Sequence, residues 1–228
     1  MISQDFIRGM KAAIPPCLGV IPIAVSIGLL GMQQAQLSAW ETILMSATVM
    51  AGASQLMAIG MIADGAGTWA IVLATFFINF RLIVMSSSTM QVLKDKTTVG
   101  ERLLASLGFC DESFAVFSLS GKGSLHFLFG ANFILWAGFV VATLGGCLLT
   151  EFLPPLVIQS FCIAFYAAFL ALLLPSIKHS WRLIALVILT ALLNTLFYQW
   201  MPASWALVVA MLLAAAVGVF FVRDEDLG

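Results

Sequence analysis

Charged residues are so sparse in this chain that the gaps between them set what it can fold into. Runs free of Asp, Glu, Lys and Arg cover residues 12–40, 42–63, 65–80, 82–93, 123–150, 152–177 and 183–222. A soluble chain of 228 residues would carry roughly 57 charges at the usual share of about 25%, whereas this one carries 21. No soluble core hides a composition that is 62% hydrophobic with a mean hydropathy of +1.09. An integral membrane protein is the class left, and at about 20 residues per span it has at most eight or so spans. That leaves no room for a soluble catalytic domain. A net charge of −1 offers no basic field for nucleic acid.

The same gaps lay out eight hydrophobic segments, 12–32, 41–63, 68–90, 101–121, 126–149, 153–177, 183–199 and 204–222, in a single transmembrane domain spanning 1–228. Trp200-Met201-Pro202-Ala203-Ser204 divides the last long run, since proline ends a helix. Arg8 and Lys11 ahead of an apolar stretch imitate a signal peptide, but the run continues to Trp40, so an uncleaved first span is expected. Cys17, Cys110, Cys147 and Cys162 lie far apart in apolar runs, without metal or disulfide spacing, and read as small buried hydrophobes. No cofactor is expected.

Orientation follows Lys and Arg. Eight full crossings with a cytoplasmic N-terminus put Arg8, Lys11, Lys122, Lys178, Arg182 and Arg223 inside, and Lys94, Lys96 and Arg102 outside. Were two segments among residues 41–121 re-entrant, every one of these basic residues would lie inside. The segments that hold charges are the ones to suspect, because broken backbone at membrane depth is tolerated only beside a cavity. Glycines and prolines stud the first segment (Pro15, Gly19, Pro22, Gly28, Gly31) and glycines the fifth (Gly138, Gly145, Gly146), a weak echo of the internal repeats found in transporters.

Three ionisable residues interrupt apolar segments: Arg81, Asp111 and Glu112. Each isolated charge at the bilayer centre costs about 2.5–3.5 kcal/mol on the insertion scale. The cheapest arrangement pairs Arg81 with one acid, either as a structural tie between the third and fourth segments or in a watery functional cavity. One arginine cannot neutralise two acids, which leaves the second free to carry a proton. Asn79 and Arg81 stand about 200° apart on a regular helix, so both line one cavity only if the helix unwinds near Phe80.

In the second segment, Met50, Met57 and Met61 fall within about 20° of one direction, with Ser54 beside them. Thioethers without Cys or His argue against copper and for a pliable apolar wall or ordinary packing. The Gly52-Ala53-Ser54-Gln55 run is small and polar enough to lay bare backbone groups. His126 and His179 read as interfacial, Asp64-Gly65-Ala66-Gly67 as a turn, and Arg223-Asp224-Glu225-Asp226 as a solvated tail. In the final segment, Ala206, Ala210, Ala214 and Gly218 form a small-residue ladder. It suits either packing on the seventh segment or docking of another chain.

Four stretches, in order, resemble one family: Phe6-Ile7-Arg8-Gly9 with Pro15, Gly19, Pro22 and Gly28; Met45-Ser46 leading to Ala51-Gly52-Ala53-Ser54-Gln55; Asn79-Phe80-Arg81; and Asp111-Glu112-Ser113-Phe114-Ala115. They are similar to the AzlC-type large subunit of branched-chain amino acid exporters. Leu82-Ile83-Val84-Met85-Ser86 departs from that family's usual aromatic-rich Leu-Tyr-Ser sequence. The resemblance implies an exporter of valine, leucine, isoleucine and in some members methionine, working in the bacterial inner membrane with a small AzlD-type membrane subunit. On this reading Arg81, Asn79, Gly52, Ala53, Ser54, Gln55, Met50 and Met57 bind substrate. Asp111 and Glu112 supply the ion pair and the proton carrier. The competing class is a membrane scaffold whose buried charges only hold parts together. An enzyme is weakest, since no nucleophile–base pair, metal cluster or nucleotide loop occurs.

Overall fold

The computed structural model describes residues 4–93, 97–121, 123–150, 152–154, 180–201 and 203–221. The regular structure among them is entirely helical: α1 (Gln4–Gln33), α2 (Ala39–Val49), α3 (Gly52–Ala63), α4 (Thr68–Leu93), α5 (Val99–Leu107), α6 (Asp111–Leu119), α7 (Leu125–Leu149), α8 (Trp181–Tyr198) and α9 (Ala203–Phe221). Seven of the eight expected segments correspond to these helices, and the sixth, 153–177, lies almost wholly outside the described residues.

The frame is the pair α1 and α7. They run parallel, because contacts advance together along both: Ser124 Oγ donates to Asp5 Oδ2 at 2.7 Å near one end, and Cys147 Sγ reaches Gly28 O near the other. Their approach is reciprocal. A Cβ at Gly9 would strike the Phe127 carbonyl and one at Gly130 the Phe6 carbonyl, while Gly28 and Gly146 face Thr143 and Val25 in the same way. In lipid, such close backbone approach is what holds helices together. The glycine echo between the first and fifth segments is thus a packing seam.

Two of the expected spans do not cross. The α2 and α3 helices have 11 and 12 residues, and α5 and α6 have 9 each. At 1.5 Å per residue none of these covers the roughly 30 Å of hydrocarbon. Thr42 packs on Gly31 near the far end of α1, Met50 reaches the middle beside Val20 and Leu135, and Met61 returns to the start of α4 at Ala70. On the opposite side, Leu104 lies by His126, and Gly108 descends to Asn132. From there Val116 and Ser120 climb back to Arg8 and Lys11. Two re-entrant hairpins therefore enter from opposite faces, and α1, α4 and α7 cross.

The halves α1–α2–α3 and α4–α5–α6 form an inverted repeat, offset by about 60 residues. Capping boxes open α2 and α5 in the same way. Ser38 N–H donates to Glu41 Oε2 at 2.8 Å, and Thr98 N–H to Glu101 Oε2 at 2.8 Å. At the other break, Ser54 Oγ donates to Ala51 O at 3.0 Å and Ser113 Oγ to Cys110 O at 2.9 Å.

The topology also bears on charge. The chain joining α4 to α5 carries Lys94 and Lys96, and that joining α6 to α7 carries Lys122. The helix ends they join lie on the same face as Arg8, Lys11 and Arg102. The re-entrant arrangement thus removes the unfavourable split that eight crossings imposed. Finally, α8 and α9 form an antiparallel pair, with the Trp181 ring edge-on to Phe221. Ala206, Ala210 and Ala214 are 0–5% exposed, and Gly218 abuts Leu186. The ladder is spent inside the chain.

Candidate functional site

The two hairpin tips meet α4 at mid-depth around a cavity of about 300 Å³. Val20, Ile23, Leu135 and Phe139 supply an apolar wall from α1 and α7, Met50 to Ala53 one tip, Cys110, Asp111 and Glu112 the other, and Arg81 and Leu82 the α4 side. This volume sits at the lower end of the range of roughly 300–1,000 Å³ for small-molecule sites.

The first tip is a backbone feature. Met50 ends α2 at φ 43°, ψ 45°, and Ala51 is extended at φ −136°, ψ 90°. Such a left-handed non-glycine residue costs on the order of 1–3 kcal/mol and persists only where its surroundings enforce it. Gln55 does the enforcing. Its amide lies 3.0 Å from Ser46 Oγ at one end and 3.3 Å from both Met50 N and Ala51 N at the other. The orientation that satisfies both ends has the nitrogen donating to Ser46 and the oxygen accepting from the two backbone amides. Ser46 Oγ in turn lies 3.0 Å from Thr143 Oγ1, which donates to Phe139 O. Ser46, Gln55 and Thr143 are each 0–1% exposed. No side chain caps the N-terminus of α3, and its first residues, Gly52 and Ala53, line the cavity, so the positive end of the helix dipole lies at the cavity's edge.

The second tip carries charge. Asp111 and Glu112 occupy the first turn of α6, where the helix dipole favours carboxylates. Arg81 Nη2 lies 2.6 Å from Asp111 Oδ2, with side-chain exposures of 48% and 38%. Asp111 Oδ1 is enclosed and has no partner. Both partners line the central cavity.

Among the residues singled out from the sequence, the cavity gathers Arg81, Met50, Gly52, Ala53, Asp111 and Glu112. Four others lie elsewhere. Ser54 is 1% exposed and bonded back to Ala51 O, and Gln55 is the brace beneath the tip. Met57 packs with Met61 into the Ala70–Ala74 seam of α4, because the break after Met50 destroys the helical phase that had aligned the methionines. Asn79 is not brought in either. The α4 helix is continuous from Thr68 to Leu93 and does not unwind near Phe80, so Asn79 and Arg81 stay on opposite faces. The wall residues Val20, Ile23, Leu135 and Phe139 carry no mark in the sequence, since apolar residues abound on every face. Among the described residues no cluster of His, Cys, Asp and Glu could hold a metal ion.

A family profile described as "AzlC protein" matches residues 15–153, more than half of the chain and almost all of the two hairpins and their frame. The chain belongs to the AzlC family. It is accordingly a multi-pass membrane protein of a transport-related family. It is similar to the "Inner membrane protein YgaZ" of Escherichia coli (strain K12), at 26% identity over 149 residues, 63% of this chain and 60% of that protein. The chain thus matches less than two thirds of that AzlC relative's length. No solved structure matches.

Proposed function

We propose that this AzlC-family chain is the large subunit of a secondary exporter for branched-chain amino acids: valine, leucine, isoleucine and, by size, methionine. The cavity carries this reading. A guanidinium and the bare start of α3 stand on one side to take a carboxylate, as a planar donor fork and a helix N-terminus do. Glu112, in the cavity lining beside Asp111, can take an ammonium. Val20, Ile23, Leu135 and Phe139 offer an aliphatic side chain a dry wall. A zwitterion with an apolar side chain complements all three.

Glu112 is the proton carrier in this reading, because Asp111 is engaged with Arg81 while Glu112 forms no salt bridge among the described residues. The basic residues on the N-terminal face make that face cytoplasmic in a bacterial inner membrane, by the positive-inside rule. A small AzlD-type membrane subunit is the partner that the family resemblance implies. The deciding experiment is efflux of labelled valine, leucine and methionine from cells with and without this chain and its small partner. Efflux of all three at background rates overturns the substrate reading. A scaffold would leave efflux unchanged by Arg81→Lys, which keeps the charge and loses the fork.

A further inference from the structure

Toward the N-terminal face, α4 and α6 border an open pocket of about 510 Å³, lined by Ser88, Thr89, Val92, Phe117 and Ser118 with Phe114 at its inner end. Thr89 is 2% exposed and its Oγ1 has no partner. Other helical threonines here, Thr48, Thr143, Thr190 and Thr195, donate to the carbonyl four residues back. An unused buried hydroxyl in a membrane protein calls for a polar visitor. Arg81, Met85, Ser88 and Thr89 share one face of α4, and Asp111, Phe114 and Ser118 one face of α6. This pocket and the central cavity therefore lie in line along one seam, with Arg81 and Ser88, and likewise Asp111 and Ser118, about two turns apart and Met85 and Phe114 between them. The Phe114 ring leans edge-on against Phe109 with centroids 6.4 Å apart, so it borders the seam without a bond to hold it.

The inverted repeat supplies the comparison. At the repeat offset, α4 against α6 corresponds to α1 against α3, and Ser88, Thr89, Phe117 and Ser118 correspond to Gly28 through Leu30, Ala58 and Ile59. There the seam is filled: Leu29 is 0%, Leu30 5%, Ala58 8% and Ile59 1% exposed. One seam is dry and shut, and its inverted counterpart is open and polar.

We propose that the α4–α6 pocket is the vestibule through which solute enters the central cavity from the N-terminal face, and that it is a second, weaker site for the same zwitterion. This rests on the substrate reading above. Uncharged hydroxyls can replace hydration of an ammonium or carboxylate without holding it, which suits passage rather than storage. The Met85–Phe114 layer is the inner gate, and the packed α1–α3 seam closes the route to the opposite face.

The test places cysteines at Ser118 (S118C) and at its counterpart Ile59 (I59C) in the full chain. A membrane-impermeant methanethiosulfonate is applied from either face of membrane vesicles, and the label is located by mass spectrometry to separate it from Cys110. The expected result is labelling of S118C from the N-terminal face at least about tenfold faster than I59C from the opposite face. Equal rates, or no labelling of S118C, overturn the vestibule. Leucine should slow S118C labelling. Labelling that neither leucine nor valine slows keeps the route and overturns the amino-acid reading instead. Thr89→Val gives a second measure. A hydroxyl that meets solute makes the substitution raise the KM of efflux about three- to tenfold. A merely structural hydroxyl makes it raise thermal stability with KM unchanged, which overturns the second site.

Discussion

The two hairpins meet tip to tip, yet they hold their tips in opposite ways. The α2–α3 tip is neutral, its left-handed Met50 braced from below by Gln55, Ser46 and Thr143, all fully buried. The α5–α6 tip is charged, held toward α4 by the Arg81–Asp111 pair and flanked by an open polar pocket. Identical local devices, a Ser/Thr–Glu capping box and a serine bonded back across the break, build both. The same inverted motif thus makes one tip braced by buried polar groups and one held by a half-exposed ion pair, and the difference lies in what supports each tip from behind.

Several substitutions would break or sharpen that contrast. The largest expected effect is at the brace. Gln55→Leu strips the acceptor from two buried amides and the donor from Ser46, which at about 1–3 kcal/mol per orphaned group should cost about 2–4 kcal/mol. Thermal unfolding in detergent should show the loss, and a stable variant would mean that the first tip holds itself. Arg81→Lys should reverse the pattern, with efflux falling more than about tenfold, worth some 1.4 kcal/mol. The melting temperature should stay close to that of the parent. The acids of the second tip should then separate. Glu112→Gln should still exchange substrate across the membrane but lose the acceleration of export that outside acidity gives the parent. Asp111→Asn, which strands Arg81, should lose exchange as well. Identical behaviour in a vesicle exchange assay would remove the division of labour.

A smaller effect is expected at the ladder. Ala210→Ile with Ala214→Ile overpacks the α9 face and should cost about 1–3 kcal/mol of stability. Recovery of the small membrane subunit per folded large subunit should stay unchanged, because the ladder is an internal seam. The smallest are Ser38→Ala and Thr98→Ala, each removing one half of a capping box. Equal small drops in the unfolding midpoint would support the inverted repeat, and unequal ones would show that the two hairpins differ even at their roots.

How much of this was legible beforehand follows the physics. Segment boundaries were, because charge is expensive in lipid and the chain spends it only at ends and at the site. Arg81, Asp111 and Glu112 stood out for the same reason. Re-entry was legible as an alternative that would gather the basic residues, but charge points suspicion at the third and fourth segments, whereas the third is the continuous α4 and the second, uncharged past Glu41, breaks in its place. A stronger signal, Ser38-x-x-Glu41 repeated as Thr98-x-x-Glu101, places two helix starts at a fixed interval. Assigning Ser54, Gln55 and Met57 to the binding surface rests on polarity or on phase along one uninterrupted helix, and assigning Asn79 rests on an unwinding near Phe80 that does not occur. The break after Met50 resets that phase, and the unbroken α4 keeps Asn79 turned away. The wall residues were invisible because Val20 or Leu135 looks alike whether it faces lipid, a neighbour or a cavity.

The brevity of α2 and α3 has a consequence for how the chain is made. A segment of 11 or 12 residues is too short to be held in the bilayer by its own partition energy. Its seat is built from residues that leave the ribosome much later: Ser46 awaits Thr143, Ala47 awaits the Trp136 indole at 2.9 Å, and Gly28 awaits Gly146. Until α7 is synthesised, the first hairpin has nowhere to lodge and must wait at the membrane surface or in the insertion machinery. Nascent chains arrested before about residue 125 should therefore leave α2 and α3 open to protease, and chains arrested beyond Leu149 should protect them. Biogenesis here is a matter of one late helix closing over an early loop, and the central cavity comes into being only at that moment.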